Sequence, residues 1–111
     1  MKLIRDRLPQ VMAAAGQRCA HRIATGAEYR AWLGAKLIEE AAEVIGATIP
    51  GSTATTDTLA AELADLLEVV YAIGATNGIS PAMLEAERHR KRAARGGLTR
   101  GVIWHDPDGA P

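Results

Sequence analysis

Two long stretches of the chain place apolar residues at helical intervals, and turn-forming residues separate them. With each residue advancing about 100° around a helix, Leu33, Leu37 and Val44 fall on one stripe of the first stretch. Leu59, Leu63, Leu66, Val70 and Ile73 form the stripe of the second. The first stretch opens at Thr25-Gly26-Ala27-Glu28, a capping box in which the Thr hydroxyl and the Glu side chain satisfy each other's exposed backbone N–H groups; it predicts a helix over 26–47. The second starts near Thr56-Asp57-Thr58, any of which can supply the N-cap, and stops at Asn77-Gly78, a left-handed terminator. Ser80-Pro81 then provides an N-cap and an N1 proline, so a third long helix runs to Gly96-Gly97 and should fold back on the second as a tight hairpin.

Pro9 predicts a short helix over 8–15 that Gly16 ends. Residues 18–24 and 98–105 alternate in part and read as extended, so they can pair as a small β-ribbon. The Gly, Pro, Ser and Thr stretch 46–58 reads as a connection. Together these elements predict an all-α antiparallel helical bundle of about four helices in one domain, 1–105, with a mobile tail, 106–111. The Asp-x-Asp-Gly of that tail lacks the further ligands of a calcium loop.

Composition narrows the class. With no Phe and four aromatic rings in 111 residues, the core must be aliphatic. The single Cys19 cannot form an internal disulfide, the opening "MKLIRDRLPQ" has no apolar signal-like region, and no apolar run approaches the roughly 20 residues that span a bilayer. A soluble, cytoplasmic protein is expected. Formal net charge is zero, yet the charges are sorted: seven bases and two acids over 1–36, nine acids and no Lys or Arg over 37–87, six bases and no acid over 88–100. Such sorting either neutralises solvated faces or builds a cation site beside an anion site.

The acids decide between these. Glu40 falls inside the first stripe with Glu43 on its edge, and Glu62 falls inside the second with Asp65 bordering it, while Glu68 points away to solvent. Both are i, i+3 pairs and so share a helix face. If the stripes pack, four carboxylates converge where each buried charge loses several kcal/mol of solvation. Protons or a cation must compensate them. Four oxygen donors without a Cys and His set suit Mg²⁺, with Mn²⁺ as the alternative. His21, His89 and His105 offer no Glu-x-x-His repeat for a di-iron bundle.

Glu39-Glu40-x-x-Glu43, an 18-residue spacer and Glu62-x-x-Asp65 resemble the E-E-x-x-E…E-x-x-D signature of the MazG-like all-α nucleoside triphosphate pyrophosphohydrolases. "KLIRDRLP" (2–9) and "KRAARGGLTRGVI" (91–103) are similar to the opening and the basic run of a short phosphoribosyl-ATP-pyrophosphohydrolase-like subgroup, with Leu98 where that subgroup has Phe and a smaller, more Thr-rich loop at 46–58. The resemblance implies Mg-dependent cleavage of a nucleotide between its α- and β-phosphates, in a house-cleaning role, by a homodimer or higher oligomer. Metal would be held by Glu40, Glu43, Glu62 and Asp65, with Glu39 and Glu40 as the catalytic acids. Glu39, turned about 100° from its neighbour, is cast as orienting or deprotonating water or as a ligand of a second ion.

Phosphate charge needs bases. Arg88, Arg92 and Arg95 lie on one face of the last helix with Lys91 beside them; Arg5 and Arg7 form a second candidate clamp with Asp6 as cap or partner, and Lys36 lies one turn before Glu40. The competing class is a non-catalytic dimerisation module that binds nucleic acid or a protein partner through the basic helix 88–95. A neutral chain of pI near 6.8 without an aromatic platform argues against nucleic acid. Ile38, Ala42 and Ile45 make the first long helix apolar on its far side too, which predicts contact with another subunit.

Overall fold

The computed structural model describes residues 1–109, which form four helices. Among these residues there is no strand and no helix long and apolar enough to cross a membrane. The chain divides into two compact units, residues 1–79 and the segment from Ser80 on.

In the first unit, α1 spans Leu8–Ala14, α2 spans Gly26–Thr48 and α3 spans Thr56–Thr76. α2 and α3 pack on one another through facing stripes. Arg30, in the first turns of α2, donates to the Thr76 carbonyl at 3.0 Å, so the start of α2 meets the end of α3 and the two helices run antiparallel. That guanidinium satisfies one of the orphan carbonyls at the C-terminus of α3. The Ile79 N–H reaches back to the Gly74 carbonyl at 2.9 Å, a closure that needs the left-handed backbone of Gly78 (φ +72°). A Cβ at Gly74 would lie 3.0 Å from the Ile79 carbonyl oxygen, so the same turn also requires a small residue one turn earlier.

Three local expectations change. The capping box of α2 does not form: the Thr25 side chain makes no cap bond, and Glu28 is held by Arg22 through two bonds of 2.7 and 2.8 Å. A bidentate charge-assisted pair outcompetes a single bond to a backbone N–H. The cap of α3 is Thr55, one residue before the trio expected, whose hydroxyl accepts from the Thr58 N–H at 3.1 Å. Neither 18–24 nor 98–105 is a strand. His21-Arg22 puts two polar residues in succession, which breaks the period of two, and Gly101 (φ +68°) turns the second segment out of the extended region.

In the second unit α4 spans Pro81–Arg95, begins on the Ser80 hydroxyl, which accepts from the Met83 N–H at 3.1 Å, and ends at Gly96 (φ +83°). In the tail, Asp106 accepts from the Asp108 N–H at 2.8 Å, a local turn; residues 110 and 111, part of the segment expected to be mobile, lie outside the described residues.

The core of the first unit is thin. Leu33 on α2 and Val69 on α3 are its buried apolar residues, and the third buried residue is a carboxylate, Glu40, at 5% exposure. Ile38 (73% exposed), Ile45 (61%), Leu63 and Leu67 face outward. The inner stripe of α3 is therefore rotated from the one expected: Leu63 leaves it and Val69 takes its centre, with Glu62 and Asp65 on the same face at i−7 and i−4. That rotation brings both acids nearer the helix interface.

Candidate functional site

A 23-residue α2 holds Glu39, Glu40 and Glu43 in adjacent turns, and α3 holds Glu62 and Asp65 opposite. Carboxylate oxygens of Glu40, Glu62 and Asp65 come within 4.8 Å of one another, and so do those of Glu39, Glu40 and Glu43. Glu40 belongs to both groups and is the most buried member. Of the four carboxylates expected to converge, the structure brings Glu40, Glu62 and Asp65 together across the helices, and Glu43 groups with Glu39 and Glu40 on α2. Glu43 sits at the exposed edge, where its carboxylate lies beside Glu62.

Electrostatics at the cluster are unfinished. Oε2 of Glu40 and Oε2 of Glu62 are buried and accept no hydrogen bond from any described residue. An unpaired carboxylate oxygen away from water is among the costliest groups to bury. Lys36 Nζ lies 3.1 Å from Glu40 Oε1 and 3.4 Å from Glu39 Oε2, with its side chain only 17% exposed. Its charge is held up despite burial by the hydrogen bond to Glu40 and the pull of both acids. Among the described residues no base contacts Glu62. The adjacent Glu43 carboxylate, then burial, then repulsion from Glu43, Asp65 and Glu40 push its pKa above the ordinary Glu value. Within this cluster, one carboxylate takes a lysine and another is driven toward holding a proton. A divalent cation relieves both at once, and the donor set, carboxylate oxygens only, fits Mg²⁺ or Mn²⁺.

The N-terminal strap reaches the same place. Arg5 donates to Asp65 Oδ1 at 2.6 Å, and Lys2 to Glu39 Oε1 at 3.3 Å. Glu39 is lowered below its ordinary value: burial works against its charge, and Lys2 and Lys36 overcome that. Beside the cluster a cavity of about 210 Å³ opens, with Tyr29, Leu33, Val69 and Ala72 as its apolar wall, Lys36, Glu40, Asp65 and Glu68 on its polar side, and Leu3 to Asp6 along its rim. Glu68 is exposed as expected, yet it faces this cavity and bulk solvent alike. Among the described residues Asp6 pairs with no base, and it does not cap α1, whose N-terminus has no side-chain cap. Arg7 is exposed at the start of α1.

Lys2, Tyr29 and Glu68 escape the sequence reading. Lys2 stands in the quoted opening motif, but nothing in its spacing ties it to Glu39, 37 residues away. Tyr29 is one and two turns before Leu33 and Lys36, a position that marks it as wall of the same groove once the groove is known.

The candidate bases of α4 have a different setting. Arg88 is held by Glu85 on its own helix through bonds of 3.0 and 2.5 Å, and Arg90 by Glu87 in the same way. Lys91, Arg92 and Arg95 make no ion pair among the described residues, and the Arg92 guanidinium lies over Gly97, where a Cβ would sit 2.8 Å from Nη1.

An all-α protein whose facing helices gather acids around unsatisfied buried oxygens belongs to the class of carboxylate-site helical proteins. The family model of phosphoribosyl-ATP pyrophosphohydrolase matches residues 8–92, well over half of the chain, which therefore belongs to this family of MazG-like all-α nucleoside triphosphate pyrophosphohydrolases. Membership supports a nucleotide pyrophosphohydrolase activity in general, and the family is typically dependent on a divalent metal. No curated protein and no solved structure matches the chain. Every carboxylate of the cluster lies within the matched span; Lys2, Arg5 and Arg7 precede it.

Proposed function

We propose that the protein is a Mg-dependent nucleotide pyrophosphohydrolase that cleaves a (deoxy)nucleoside triphosphate or related nucleotide between its α- and β-phosphates, giving a monophosphate and pyrophosphate. The observation that carries this reading is the pair of buried, unpartnered oxygens, Glu40 Oε2 and Glu62 Oε2, inside an acidic cluster of a family with this chemistry. Glu40, Glu43, Glu62 and Asp65 would hold the ion, which supplies charge neutralisation for phosphate oxygens and a more acidic water when bound. Glu39, charged and solvent-reachable, is placed to orient a water or take its proton, or to extend the site to a second ion through the Glu39, Glu40 and Glu43 group. Lys36 fixes the Glu40 and Glu39 carboxylates by its two contacts. Arg5 stands at the cavity rim and can reach phosphate oxygens with a planar fork. Arg7, Arg88, Arg92 and Arg95, and Lys91 as a compact ammonium charge, are further candidate phosphate contacts. The cavity's apolar wall, with Tyr29, would take the uncharged part of the nucleotide.

The outward Ile38, Ala42 and Ile45 of α2 and Leu63 and Leu67 of α3 support a homodimer or higher homo-oligomer, since these apolar side chains are exposed among the described residues. A house-cleaning role predicts that modified nucleotides are substrates. The test is incubation with a panel of standard and modified NTPs and dNTPs plus Mg²⁺, with pyrophosphate as the readout. Absence of release with every substrate, together with no metal-dependent rise in melting temperature, would sink the proposal.

A further inference from the structure

Three basic side chains rest on the carboxylates of the cluster, and they are not equivalent. Lys36 to Glu40 is a buried contact between neighbours on one helix, with side chains 17% and 6% exposed. Arg5 to Asp65 joins the strap to α3 across 60 residues of sequence, with side chains 60% and 40% exposed. An exposed ion pair is worth little and is exchanged at small cost, whereas a buried one is lost only with a large desolvation penalty on the partner left behind. The backbone around Arg5 is fixed nonetheless: its carbonyl accepts from the Leu8 N–H at 3.0 Å, and Leu3 and Ile4 are half-buried in the cavity rim. An exposed guanidinium is thus mounted on a pinned strap.

Asp65 Oδ1 is the oxygen that Arg5 occupies, and Asp65 is also one of the three carboxylates whose oxygens approach within 4.8 Å. A divalent ion on that carboxylate brings a second positive charge close to the guanidinium, and the two repel. We propose that Arg5 is an exchangeable internal counter-ion: it covers Asp65 in the metal-free protein and leaves when the divalent ion binds, which frees it to meet an anion in the adjoining cavity. The inference rests on the reading of Glu40, Glu62 and Asp65 as ligands. It makes ion binding and Arg5 availability one equilibrium, so an anion that captures Arg5 in the cavity tightens the ion by the same factor that the ion tightens the anion.

The experiment measures Mn²⁺ affinity of the full chain without nucleotide, by calorimetry, for wild type, Arg5→Gln and Arg18→Gln. Arg18→Gln removes an equal charge from an exposed side chain that has no ion-pair partner among the described residues and no assigned role. Exchange predicts that Arg5→Gln binds Mn²⁺ about 5-fold or more tightly than wild type, the lower end of usual coupling, while Arg18→Gln stays within about two-fold. A second measurement needs no variant protein to fold well: in wild type, Mg²⁺ should convert the Arg5 Nη2 protons, which Asp65 Oδ1 holds, from a distinct, protected NMR signal to a solvent-averaged one. Equal affinities, an equal gain in both variants, weaker binding in Arg5→Gln, or an Arg5 signal that Mg²⁺ leaves in place would each overturn the exchange and leave the metal reading standing. No Mn²⁺ binding by any of the three chains would overturn both.

Discussion

α2 and α4 use one spacing to opposite ends. On α2, Glu40 and Glu43 are i, i+3 neighbours, and their counterparts Glu62 and Asp65 face them from α3. On α4, Glu85 with Arg88 and Glu87 with Arg90 are i, i+3 neighbours as well. The α4 pairs are complete, bidentate and exposed, so each group finds on its own helix what it lacks. The α2 and α3 acids have like charges for neighbours beside Lys2, Arg5 and Lys36, and two of their oxygens accept no hydrogen bond from any described residue. Spacing settles which side chains meet; burial and the sign of the neighbour settle whether the meeting is a solvated pair or a demand for something else.

The largest way to break that contrast is Glu40→Gln. Gln keeps the shape of the side chain but not the charge shared by both carboxylate groups. Partners that only orient metal ligands typically cost 10–100-fold, so loss of this central acid should lower pyrophosphate release by about 100-fold or more. The metal-dependent rise in melting temperature should vanish with it. Full activity in this variant would remove Glu40 from the site.

Assembly comes next. Ile38→Asp with Ile45→Asp puts charge on the outward face of α2 and leaves Leu33 and Val69 untouched. Light scattering should report a dimer or higher oligomer for wild type at micromolar concentration and a monomer for the variant. A wild-type monomer at that concentration would show instead that these isoleucines are solvent-facing in solution.

Much of this was legible before any coordinates. Period, capping signals and the two acid pairs predict four helices and place Glu40 inside a stripe, because helix periodicity and the N- and C-terminal signals are local properties of the chain. What the chain hides is choice among competing partners. Glu28 had the spacing of a capping box, but Arg22 offered a stronger bond from outside the helix. Leu63 had the spacing of a core residue, but the inner face of α3 is centred on Val69, and only packing against α2 reveals the rotation. The strap is the clearest case: Lys2 and Arg5 reach acids 37 and 60 residues away, and no periodicity encodes a contact of that range.

A subtler effect is expected from pH. Because the Glu62 carboxyl titrates above its ordinary value in the fold, its contribution to stability is complete below the unfolded-chain pKa and is lost as pH rises through the raised one. In chelator, the melting temperature should therefore fall as pH rises across that window. Glu62→Gln, which has no proton to lose, should flatten this segment, and saturating Mg²⁺ should reverse it, since a cation then does what the proton did. Glu39, Glu85 and Glu87 act with the opposite sign at lower pH, because their depressed values make stability fall as pH drops through them. A profile unchanged by Glu62→Gln would place the titration elsewhere.

The smallest effect should come from α4. Removing both members of an exposed pair, Glu87→Ala with Arg90→Ala, leaves no charge uncompensated, because each loses its partner together. Exposed ion pairs contribute close to nothing to stability in most cases, since the Coulomb gain in high dielectric is offset by the freedom two long side chains give up. Neither residue is assigned a role toward phosphate, and neither belongs to the acidic cluster. The double variant should therefore match wild type in melting temperature and in kcat/KM. A clear fall in either would mean that this face of α4 is covered in the working protein, and that its charges, like those of α2, answer to a partner beyond their own helix.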